Sequence, residues 1–127
     1  MHKSKLVAAV IDCQTEDLTE ATRFWSAALG RKPDSTDDSA AEKYVSVGTG
    51  KEDLIVLLQK VPHASRVHID IETDDVEAEA ARLESLGARR IEKVKTWWVM
   101  EAPTGHRFCV VRPQRDGIMP ADANEWA

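Results

Sequence analysis

His68 and Asp70 are the first residues in this sequence whose types and spacing could do chemistry. They stand two apart in the segment RVHIDIE (66–72), where polar and apolar residues alternate. In extended backbone, side chains two apart share a face. Val67, Ile69 and Ile71 therefore point one way, to pack under helices, and His68, Asp70 and Glu72 point the other. A histidine beside a carboxylate can exchange protons near neutral pH, so the pair is a candidate for general acid–base catalysis or for ligand contact. A satisfied structural pair is the competing reading. The two cysteines, Cys13 and Cys109, form no CxxC motif. Nothing near either thiol in sequence would lower its pKa, so the expected role for each is that of a small hydrophobe.

A second group lies toward the C-terminal end. Pro103-Thr104-Gly105 is a turn signal between the segments 96–101 and 107–112. A turn over 103–106 pairs Ala102 with Arg107 and Met100 with Cys109, and cross-strand partners share a face. That register gathers Trp98, Met100, Arg107 and Cys109 on the side lined by His68. An aromatic ring, a thioether and a guanidinium suit a flat or aromatic ligand bearing an anionic group. A place for Trp98 in the core or at a dimer interface is the alternative. Trp25 lies at core spacing within a helix and reads as structural.

The elements that must hold these residues follow from periodicity. Residues 6–13 (LVAAVIDC) are apolar and rich in β-branched side chains, the pattern of a strand. Leu18, Ala21, Thr22, Trp25, Ala28 and Leu29 recur at helical spacing over 17–29, with Thr15 or Asp17 as a start cap and Gly30 as a stop. Strands are expected over 43–48 and 54–60, joined by a turn over 48–53. The polar run 34–42 reads as an exposed loop or a lid. After a linker at 62–65 the pattern restarts: a strand over 66–72, a helix over 75–86 closed by Gly87, and strands over 89–95, 96–101 and 107–112. The two halves overlay. Six positions separate Asp12 from Leu18 and Asp70 from Val76, and the halves then close at Gly30 and Gly87. The tail 114–127 has no periodicity; Trp126 could anchor it across a rim or onto a second subunit, or the tail could fray.

Composition narrows the classes. Of 127 residues, 43% are hydrophobic and 31% charged, which suits one globular domain with a core of its own. Net charge is 17 minus 22, or −5, against a nucleic-acid binder, which needs a basic face. No apolar run approaches the ~20 residues of a membrane span. The apolar stretch after the basic residues 1–5 is too short for a secretory leader. The expected location is the cytoplasm.

Taken in order, these segments resemble the vicinal oxygen chelate superfamily of glyoxalase I, bleomycin-resistance proteins and extradiol dioxygenases, in particular its small glyoxalase-like domain proteins. The resemblance rests on Val10-Ile11-Asp12-Cys13, on Phe24-Trp25 with Ala28-Leu29-Gly30, and on Arg66-Val67-His68-Ile69-Asp70 with Asp74-Asp75. Leu86-Gly87-Ala88, the run WWVMEAPTGHRFCVVR (97–112) and the tail PADANEW (120–126) complete it. It implies an α+β fold: two βαβββ modules forming a curved mixed sheet with a cleft, helices outside. Module one is about 5–61, module two about 66–113, and 114–127 a tail. It also implies a homodimer. Metal-using relatives place four ligands, His, Gln or Glu, two per half. Here the resemblance puts His68 at one position, Gln59 and Cys109 at two others, and Val10 or Ile11 at the fourth. That set lacks a complete metal site, although His68 and Cys109 are sound zinc ligands. Tyr44 and Gln59 become further cleft-wall candidates. The expected function is binding of a small aromatic or anionic molecule at His68, Trp98, Met100, Arg107, Cys109, Gln59 and Tyr44, with no cofactor, nucleic acid or membrane. The alternative is an enzyme: a metal-dependent lyase or dioxygenase, or a metal-free isomerase using His68 and Asp70.

Overall fold

A computed structural model of the chain describes residues 1–33, 43–48 and 54–127. The expected loop 34–42, and most of the turn over 48–53, lie outside the described residues. The element order is β1 (His2–Gln14), α1 (Thr19–Leu29), β2 (Tyr44–Ser46), β3 (Ile55–Val61), β4 (Arg66–Thr73), α2 (Val76–Ser85), β5 (Arg89–Val94), β6 (Trp97–Glu101), β7 (Arg107–Val111) and β8 (Asn124–Trp126). The strands form one open mixed sheet in the order β2-β3-β1-β4-β7-β6-β5, with β8 added against β1. The pairs β1/β3 and β4/β7 are parallel, and β2/β3, β5/β6 and β6/β7 are antiparallel. This is the expected α+β architecture. Each half repeats a first strand, a helix, and a hairpin whose second strand returns beside the first in parallel. β5 has its counterpart in the first half reduced to a single bridge, Pro33 to Val47.

The chain packs as two compact units, Ala8–His68, and Met1–Val7 with Ile69–Ala127. The division crosses β1 and β4 rather than falling at the 62–65 linker. In the first unit, α1 sits on Cys13, Leu18, Val45, Val47 and Leu58, with Ile11, Ala21 and Trp25 packed around them. The helix begins where Asp17 accepts a hydrogen bond from the Thr19 N–H at 2.8 Å; hydrogen bonds from the Thr19 side chain and then from this N–H hold the Asp17 carboxyl below its ordinary pKa. It ends at Gly30, whose φ of 66° is left-handed. Ala28 and Leu29, expected on the buried stripe, are exposed.

In the second unit, α2 covers Ala80, Met100, Phe108 and Val110, with Ile71, Val76, Leu83, Ala88, Trp98 and Ala102 around them. Asp75 caps its start by accepting from the Ala78 N–H. At its other end Gly87 has φ 110°, and a Cβ there would meet Pro103 Cγ at 3.1 Å. Leu86, the last residue of the expected helix, is exposed. The tail is ordered further than its sequence suggested: β8 pairs with β1 through His2–Trp126, Lys3–Glu125 and Ser4–Asn124. No helix among the described residues is long and apolar enough to cross a membrane.

Candidate functional site

Side-chain alternation gives each unit a face away from its helix. In the first unit Ile11, Cys13, Val45 and Leu58 turn toward α1, so Asp12, Tyr44 and Gln59 turn away. The ladders align them: Tyr44 pairs with Gln59, and Gln59 with Asp12. Gln59 Nε2 donates to the Tyr44 hydroxyl at 3.3 Å. Asp12 is buried, and its Oδ2 lies 2.7 Å from His68 Nδ1 and 3.8 Å from Arg66 Nε. A carboxylate oxygen can only accept, so Nδ1 carries the proton, and in the neutral ring Nε2 bears the lone pair. Asp12 Oδ1 is buried with no hydrogen-bond partner among the described residues. Sequence reasoning missed Asp12 as a site residue. Its signal was an acidic residue closing an apolar strand, which marked the internal repeat and the family resemblance but no role in the site.

Nearby, Cys13 turns the other way, into the α1 core, where burial and then the Asp12 charge push its thiol pKa up. A thiol held neutral in this way is a poor nucleophile.

In the second unit the expected hairpin register is off by one. The Ala102 N–H donates to the His106 carbonyl at 2.8 Å, so the β6–β7 loop closes over Pro103, Thr104 and Gly105, the last with φ 86°. Glu101 therefore pairs with Arg107, and Val99 with Cys109. A slip of one residue reverses every face. Met100 is fully buried against α2 with Phe108 and Val110, and Trp98 packs on the same cluster. Neither shares a face with Cys109, contrary to expectation. The Trp98 Nε1–H donates to Glu77 at 2.9 Å, and Arg90 and Lys93 lie over its ring. Trp97, Val99, Glu101, Arg107 and Cys109 make up the face away from α2. On it Arg107 is held 3.3 Å from Glu101.

On β4 the expected alternation is present only in part. Ile71 packs under α2, while Val67 and Ile69 of the same apolar set are exposed. His68 and Asp70 share the opposite face, and Asp70 pairs with Cys109 of β7. A ring nitrogen of His68, a carboxylate oxygen of Asp70 and Cys109 Sγ all lie within 4.8 Å of one another. The three donors suit zinc in kind. The position to which the resemblance assigns a fourth ligand holds Val10, aliphatic and buried, so the four-ligand set of metal-using relatives is incomplete.

The family model for the glyoxalase-like domain matches residues 8–111. The chain belongs to that family. This glyoxalase-like domain is also similar in fold to several solved structures. One is an extradiol ring-cleaving dioxygenase from B. fuscum (18% identity, TM-score 0.57), covering 84% of this chain and 32% of that one. The domain thus spans about a third of the dioxygenase. Another is methylmalonyl-CoA epimerase from Streptomyces coelicolor (17% identity, TM-score 0.54, 84% and 94% of the two chains). A third is a glyoxalase/bleomycin resistance protein/dioxygenase superfamily member from Vibrio splendidus 12B01 (18% identity, TM-score 0.51, 84% and 98%). No curated protein matches the sequence significantly.

Proposed function

We propose that this glyoxalase-like domain binds a small organic molecule, aromatic or anionic, in contact with His68, without a complete metal site. The observation that carries the reading is the 2.7 Å bond from His68 Nδ1 to buried Asp12. An oriented imidazole with a defined tautomer is what ligand recognition requires, and a buried carboxylate is a costly way to obtain mere packing. Tyr44 and Gln59, on the Asp12 face of the same unit, supply a hydroxyl and an amide. The test is a nitrogen–proton NMR titration with benzoate, 4-hydroxybenzoate and catechol, in the wild type and in His68→Ala. Saturable shifts at residues flanking His68 that vanish in the variant support the reading. No saturable response to any of the three, or one that His68→Ala leaves unchanged, overturns it.

The proximity of His68, Asp70 and Cys109 favours a second reading, a zinc-assisted enzyme of the same superfamily. The bond to Asp12 would then orient a metal-binding histidine, as carboxylates commonly do. Calorimetric titration of chelator-treated protein with zinc separates the two. Tight stoichiometric binding lost in Cys109→Ser favours the metal, and its absence favours the organic ligand alone.

A further inference from the structure

A hollow of about 520 Å3 opens in the second unit, where the first turn of α2 meets the β5–β6 hairpin and the chain leaving β7. It shares no residue with the candidate site around His68. Lys93, Lys95 and Thr96 of the hairpin line it, as do Arg112 and Gly117, together with the acidic residues Asp74, Asp75 and Glu77. The charges differ in how they are engaged. Asp74 accepts the Lys3 N–H at 2.8 Å, and Asp75 caps α2. Glu77 accepts from Trp98, Lys93 and Arg90, and these bonds lower its pKa to about 2. Each carboxylate therefore has its donors. The Lys95 ammonium and the Arg112 guanidinium, by contrast, have no hydrogen-bond or ion-pair partner among the described residues, and neither does the Thr96 hydroxyl.

Lys95 also has φ 51°, a left-handed conformation that is costly for a side chain of this kind. Glycine or asparagine would serve the turn better. Two uncommitted cations from separate segments and a hydroxyl thus border one concave space on a protein whose net charge is −5. An ammonium, a forked guanidinium and a hydroxyl, offered by residues that line one hollow, match in kind the donors a phosphate needs.

We propose that this hollow is a binding site for a phosphate-bearing small molecule, with Lys95, Thr96 and Arg112 as its donors. The phosphate is held by charge-assisted hydrogen bonds.

The test is a titration of the full chain with inorganic phosphate, followed by amide NMR at constant ionic strength. Acetate and chloride serve as comparison anions. Saturable shifts centred on Lys95, Thr96, Arg112 and Gly117 are expected, with affinity reduced at least about tenfold in Lys95→Gln/Arg112→Gln. Lys95→Gly gives a second readout. It removes the charge and relieves the backbone, so melting temperature should rise while phosphate affinity falls. The proposal is overturned if phosphate gives no saturable shift at these amides, if acetate binds as tightly as phosphate, or if the double variant binds unchanged. It is overturned equally if Lys95→Gly keeps full affinity.

Discussion

The guanidinium carbon of Arg82 lies 3.8 Å from the centre of the Trp126 ring. The contact ties α2 to the last strand, and the same ring donates its Nε1–H to Ser4 Oγ on β1 at 2.8 Å. Beneath the pair, fully buried Glu79 accepts two hydrogen bonds from Arg82 and one from His2 Nε2, each at 2.8 Å. Both chain ends are thus clasped to one helix through a single carboxylate and a single indole.

Trp126→Ala removes the ring contact and the bond to Ser4. We expect a loss of about 2 kcal/mol, or roughly 8 °C in melting temperature, measured by calorimetry. An unchanged transition would mean that the tail frays in solution.

Glu79→Ala leaves Arg82 and His2 with an empty partner and should cost about 3 kcal/mol in a urea unfolding series. The clasp also responds to acid. Burial on its own would raise the Glu79 pKa, but hydrogen bonds from Arg82, His2 and Ser4 outweigh it and hold the carboxyl below its ordinary 4.5. The unfolded chain therefore takes up this proton first. The stabilisation is complete above the unfolded value and is lost as pH falls through the folded one. Between about pH 5 and pH 3 the wild type should lose stability more steeply than Glu79→Gln; parallel curves would refute the link.

Met100→Ala should cost about 3 kcal/mol, because a fully buried side chain leaves a cavity under α2. Trp97→Ala, on the opposite face, should leave the melting temperature much nearer the wild type. Thermal unfolding of the two variants side by side checks the hairpin register. The reverse order would restore the alignment expected from sequence.

Asp12→Ala removes the acceptor from His68 Nδ1. Long-range proton–nitrogen spectra of the imidazole should show Nδ1 protonated in the wild type and that preference lost in the variant. The same tautomer in both proteins would mean that another group orients the ring.

The sequence by itself determined the elements and their repeat. Apolar periodicities over 6–13, 17–29 and 66–72 come from local chemistry, and a strand or helix needs little beyond its own side-chain pattern and its caps. The order of those elements with motifs such as RVHID was enough to indicate the glyoxalase-like family. It also singled out His68 and Asp70, because alternation along one strand is a local property.

Tertiary structure decided what depends on how separate segments align. The hairpin loop closed one residue earlier than expected, on the left-handed Gly105, and that slip moved Trp98 and Met100 beneath α2. Asp12 became the partner of His68 across 56 positions of sequence. Three tail residues without periodicity became a strand because β1 offered them an edge. Local pattern carries no information about register or distant partners, since those are fixed by backbone hydrogen bonds and burial shared among segments that sequence keeps apart.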